Sequence, residues 1–170
     1  YKYCDDNDII CFLDGDDWLY DNFVLEKLNK EYNSDIMITY GSYCKYENDK
    51  LGSLIKANKY RNKIITFGSY RNSKGWYGIP LRTGYAKIYK QMPEKYMYDN
   101  DGNWMSACTD VAEFLWAIER SLKKFKVIEY PTYVYNIDAS KRFKNSMYNL
   151  SNDQFKYRHQ TSEKIFHTII

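Results

Sequence analysis

The stretch Asp8-Ile9-Ile10-Cys11-Phe12-Leu13-Asp14-Gly15-Asp16-Asp17-Trp18-Leu19 sets a short apolar run against a knot of carboxylates. Ile9 to Leu13 is rich in β-branched and aromatic residues. That composition suits a strand buried on both faces, with Cys11 inside it. Gly15 then lets the backbone turn tightly just past the strand end. In open α/β sheets, ligands sit at the carboxyl ends of strands, so Asp14 and Asp16 are expected to face a crevice. Acidic oxygens suit Mg2+ or Mn2+, particularly where a substrate phosphate supplies further ligands. The plainer alternative is a strand and a turn in which Asp14 or Asp17 caps the next helix.

The segments that follow extend this beginning into an α/β pattern. Asp21 is a plausible N-cap, and Leu25, Leu28 and Tyr32 recur at helical spacing, which predicts a helix over 22–32. Asp35 to Tyr40 reads as a second strand, ended by Gly41. Strand, helix and strand in this order predict a βαβ unit and a mainly parallel sheet flanked by helices. The polar segment 47–75, with Lys56, Lys59, Arg61 and Lys63, reads as a long lid or binding loop, or as a solvated insertion. Residues 78–84 read as turns leading into a short helix over 85–91, stopped by Pro93.

Thr109 begins the clearest helix, with Val111, Leu115, Ile118 and Leu122 as one apolar stripe. Asp110 with Glu113 matches a capping box at its start. Lys126 to Tyr135 reads as a strand, and Pro131 within it predicts an edge position or a bulge. The tail reads as a helix with Phe155, Ile165, Phe166 and Ile169 as its apolar contacts. The expected organisation is a core over 1–150 with a helix over 151–170 packed on it.

Composition narrows the function. A chain of 170 residues makes one domain. A net charge of +3 with both signs interspersed, and no groove-reading motif, argues against a nucleic-acid partner. No apolar run is long enough to span a membrane, and no signal-peptide pattern opens the chain. The four cysteines lack zinc spacing and read as reduced thiols of a cytoplasmic protein. The only two histidines, His159 and His167, lie in the tail, which disfavours Ser-His-Asp or Cys-His catalysis. No Walker loop and no dinucleotide glycine fingerprint is present. What is left is carboxylate chemistry: one cluster to hold a divalent metal on a diphosphate, and a separate carboxylate as general base on a hydroxyl.

The segment from Asp8 to Leu19 resembles the Asp-x-Asp region of family two glycosyltransferases, which have the GT-A fold. Thr109-Asp110-Val111-Ala112-Glu113 resembles that family's acidic motif at the start of the acceptor-side helix. Tyr133-Val134-Tyr135-Asn136, with Ser140 after it, resembles its closing segment. The likeness covers roughly residues 5–145. It implies a Rossmann-like GT-A domain that transfers a sugar, with inversion, from a nucleotide-diphosphate sugar to a glycan, lipid or protein hydroxyl, using Mn2+ or Mg2+. Asp14 would lie against the donor ribose and metal, and Asp16 would be the principal metal ligand. Asp17 would be an alternate ligand or a partner that supports the ligands from behind, and Asp138, where many relatives have histidine, would complete the shell. Asp110 would be the base, Arg82 a contact to the donor phosphates, and Trp104 a contact to the acceptor. The family's first βα half, which holds the nucleobase, has no counterpart ahead of Asp8, so a partial domain is expected. Two other classes stay open: a nucleotidyltransferase on a related α/β sheet, and a non-catalytic carbohydrate-binding module.

Overall fold

The structure, a computed structural model, describes residues 3–32, 35–73, 76–142 and 150–167. Gly75, Lys144 and Ile169 lie outside them. Six strands form one sheet: β1 (Ile9–Phe12), β2 (Trp18–Leu19), β3 (Ile38–Glu47), β4 (Lys50–Ile55), β5 (Arg82–Tyr85) and β6 (Phe125–Asn136). Their order is β1-β5-β3-β6-β2, with β4 paired to β3 on either side of an irregularity between Cys44 and Tyr46. The helices are α1 (Val24–Glu31), α2 (Asn62–Phe67), α3 (Ala86–Lys90), α4 (Thr109–Arg120), α5 (Ile137–Arg142) and α6 (Asn152–His167).

This sheet overturns the mainly parallel, Rossmann-like GT-A expectation. Among the described residues only β3 and β6 pair in parallel; β1 with β5, β5 with β3, β3 with β4 and β6 with β2 are antiparallel. The result is a mixed, mostly antiparallel sheet, strongly curled into a half-barrel. β5 accounts for two of the four antiparallel pairings, and β4 and β2 supply the others. Residues 78–84 read as turns, yet Arg82–Tyr85 inserts between β1 and β3 and runs against both. β1 and β3 do point the same way, as a βαβ unit requires, but they are not neighbours. Gly84 disguises the strand. A Cβ there would stand 2.8 Å from Ile38 Cγ2 and 2.9 Å from the Tyr89 hydroxyl, so its glycine serves close packing. Gly41 does the same inside β3, where a Cβ would meet Thr132 Oγ1 at 2.6 Å, so the strand runs on past it.

β1 is an edge strand, not one buried on both faces, and Cys11 is exposed. All four cysteines are free thiols. The polar segment 47–75 is not one long loop: it contains β4, α2 and a 3-10 turn at Tyr70–Asn72. Pro131 sits at a bulge in β6, but β6 lies between β3 and β2 and not at an edge. The residues after β6, 137–142, form α5.

The core has two parts, one on each face of the sheet. On one face Leu115, Ile118 and Ala117 of α4 pack with Ile38, Tyr40 and Ile165. On the other, Val24 and Leu28 of α1 pack against Leu81, Ile128 and Tyr133. Removing each such aliphatic side chain from water is worth about 1.5–3 kcal/mol. Leu122 does not join the stripe of α4. The helix ends at Arg120, Leu122 has a φ of 51°, and its side chain is 77% exposed. α6 is tied to the core through Arg71, which donates to the Ile165 carbonyl while binding Glu119 through both carboxylate oxygens. Among the described residues no helix is long and apolar enough to cross a membrane.

Candidate functional site

The carboxyl ends of β1 and β6, the start of α4, and one turn of α6 enclose a cavity of about 760 Å3. Asp14, Asp16, Arg82 and Asp110 all line it, together with Lys45, Trp76, Tyr135, Ser140 and Arg158. The volume falls in the range of small-molecule sites, and aromatic walls with a few converging charges are their usual lining.

At one end lies the acidic turn. β1 delivers it, and the Asp17 N–H donates to the Asp14 carbonyl at 3.1 Å to close it. Three groups from β6 and α5 then fasten it. The Tyr133 hydroxyl donates to Asp17 Oδ2 at 2.5 Å and accepts from the Asp14 N–H at 3.3 Å. The Asn136 N–H donates to Asp17 Oδ1 at 2.7 Å. The Ser140 hydroxyl donates to Asp16 Oδ2 at 3.2 Å. Asn136 also caps α5, its Oδ1 accepting from the Ala139 N–H at 3.1 Å. Asp17 is therefore occupied as a buried tie between the turn and β6, and burial pushes its carboxyl up against the pull of those two donors. Gly15 keeps an ordinary backbone conformation with open space where a Cβ would stand, so the turn does not need its glycine.

At the other end stands Asp110. α4 starts at Thr109 with Cys108 as its N-cap residue and no side-chain cap bond. The capping box is thus not formed: Asp110 lies within the first turn, not before it. Its carboxylate faces Arg82, whose Nη1 is 3.5 Å from Oδ2 and donates to the Gly78 carbonyl at 3.0 Å. Arg82 thus meets Asp110 instead of standing free for a phosphate. Gly78 lets this happen at close quarters, since a Cβ there would meet the Phe114 ring at 2.5 Å. Cys108 has a φ of 63°, a left-handed conformation that a side-chain-bearing residue adopts at a cost, and such positions cluster at functional sites.

Two residues expected at the site lie elsewhere. Trp104 is 60% exposed, packs edge-on against Tyr98 and does not line the cavity; Trp76 does. Asp138 lies on α5 outside the cavity lining. Among the described residues no group of three or more His, Cys, Asp or Glu is placed to hold a metal ion. With Asp17 engaged by Tyr133 and Asn136, the chain offers Asp14 and Asp16. That donor set fits a cation bound through one or two carboxylates plus substrate phosphates, the usual mode for Mg2+, and not an all-protein cage.

Lys45, Trp76 and Arg158 were not legible as site residues. Lys45 sits in the sheet opposite Tyr135, and Arg158 sits in the tail helix. Only the fold brings them to the cavity. Fold and site together define an α/β protein with a mixed half-barrel sheet and one carboxylate- and arginine-lined cavity at its strand ends. Neither a scan against protein-family models nor a search of curated proteins finds a match to this chain.

Proposed function

We propose that the protein is a metal-dependent inverting glycosyltransferase that moves a sugar from a nucleotide-diphosphate sugar to an acceptor hydroxyl on a glycan, lipid or protein. The observation that carries this reading is the convergence of Asp14 and Asp16 with Asp110, almost a hundred positions later in the chain, on a single cavity. The two ends divide the labour that such a transfer needs. One is a fastened acidic turn suited to a diphosphate and its cation; the other is a single carboxylate in the first turn of a helix, facing Arg82.

Asp110 accepts the proton of the acceptor hydroxyl as that oxygen attacks the anomeric carbon. The bond from the same carbon to the diphosphate oxygen breaks on the opposite side, and the configuration inverts. Arg82 orients the Asp110 carboxylate throughout. A divalent cation, Mn2+ or Mg2+, would be held by Asp16 and Asp14 together with the donor phosphates, and when bound it neutralises charge on the leaving diphosphate. Trp76, Tyr43 and Tyr135 give flat walls for rings. The free thiols suit a cytoplasmic site of action, where cysteines stay reduced.

The test is release of UDP or GDP from a panel of their hexose and N-acetylhexosamine conjugates, with Mn2+ and a panel of sugar acceptors. Release that chelation by EDTA abolishes is the expected result. Release from no member of the panel contradicts the proposal.

A further inference from the structure

Among the described residues, three cations line the cavity: Lys45, Arg82 and Arg158. Arg82 is engaged by Asp110 and the Gly78 carbonyl. Lys45 and Arg158 make no side-chain hydrogen bond or ion pair among the described residues. They stand at opposite ends. Lys45 pairs across the sheet with Tyr135, one residue before the Asn136 that holds Asp17, so it belongs to the acidic turn. Arg158 belongs to the other end. Its carbonyl accepts from the Cys108 thiol at 3.6 Å, two residues before Asp110. The charges of Asp110 and Arg158 both bear on that thiol, with opposite sign.

A half-buried guanidinium loses hydration, and a carboxylate or phosphate matches its fork through two parallel hydrogen bonds. At the acidic turn the diphosphate answers Lys45. With a neutral hexose or N-acetylhexosamine donor, no further anion reaches the Asp110 end, so the partner of Arg158 comes with the acceptor. We infer that the acceptor is an anionic sugar, carrying a carboxylate or a phosphate that Arg158 receives while the reacting hydroxyl lies against Asp110. This rests on the reading of Asp110 as the base in glycosyl transfer.

The test is binding of glucuronate, glucose 6-phosphate and glucose to the chain, followed by ligand-observed NMR titration. At least one of the two anions is expected to bind about tenfold more tightly than glucose, as one charge-assisted hydrogen-bond pair would give. Which of them does so separates a carboxylate-bearing from a phosphate-bearing acceptor. Arg158→Gln should erase the preference, and Arg158→Lys, which keeps the charge, should retain most of it. Glucose binding as tightly as both anions overturns the inference, and the wild type alone can give that result. So does no binding of either anion, a preference that survives in a folded Arg158→Gln, or one lost in Lys45→Gln instead. Parallel titration with UDP and GDP in Mn2+ keeps the two readings apart. Nucleotide binding without an anion preference sinks only the inference; an Arg158-dependent preference without nucleotide binding sinks the transferase reading.

Discussion

The two carboxylate ends of the cavity are built in opposite ways. The acidic turn is fastened: Tyr133, Asn136 and Ser140 reach it from β6 and α5, and Asp17 is sacrificed as a buried tie to hold Asp14 and Asp16 in position. Asp110 is held by one long contact to Arg82, and its side chain is 45% exposed. A turn that must keep two oxygens in register for a cation and a diphosphate gains from rigid supports. A carboxylate that must take up a proton and release it gains from having few fixed donors. The difference between the ends matches the roles proposed for the two groups of carboxylates, and it can be broken from either side.

The largest effect is expected at the loose end. Asp110→Asn should lower turnover by roughly 10²–10⁴-fold, the usual worth of a general base, while leaving nucleotide affinity unchanged. Near-normal turnover would leave Asp110 as no more than a first-turn acid. The next is at the fastened end. Tyr133→Phe leaves Asp17, 9% exposed, with one donor fewer. A loss of about 1–3 kcal/mol in denaturant unfolding is expected, with weaker cation-dependent nucleotide binding although Tyr133 does not line the cavity. Unchanged stability would mean that the tie does not support the turn. The smallest is Gly15→Ala, within about 0.5 kcal/mol of wild type, because nothing stands within 4 Å of the new Cβ. A large loss there would show that the turn needs a backbone freedom its conformation does not display.

How much of this was legible in the sequence follows the same division. β1 with its acidic turn, α4 and β6 were readable because each carries a run or a period long enough to stand above its neighbours. β1, β3 and β6 do run the same way, but only β3 and β6 are neighbours and the other pairings are antiparallel. β5 was not, because four residues containing Gly84 look like a turn when the reason for the glycine, Ile38 and Tyr89 pressed against it, is distant in sequence. With β4 inside the supposed loop and the two-residue β2 also unread, a mixed half-barrel became an expected parallel sheet. At the site, Asp14, Asp16, Arg82 and Asp110 share one cavity, as residues flanking strand and helix ends can be expected to do. The sequence could not choose between the two roles open to Asp17, because its burial depends on Tyr133, far along the chain. Trp104 was misjudged because an aromatic beside a turn gives no sign of which way it faces. Lys45 and Arg158 look like ordinary surface charges until the sheet curls and α6 docks.

The most direct measurement is calorimetric titration of the chain with UDP and with GDP, each with and without Mn2+, repeated on Asp16→Ala. Binding of one nucleotide that requires Mn2+ and disappears in the variant is the expected result, since Asp16 and Asp14 are the carboxylates proposed to hold the cation with the phosphates. Nucleotide binding that ignores the metal, or that survives in Asp16→Ala, would contradict it.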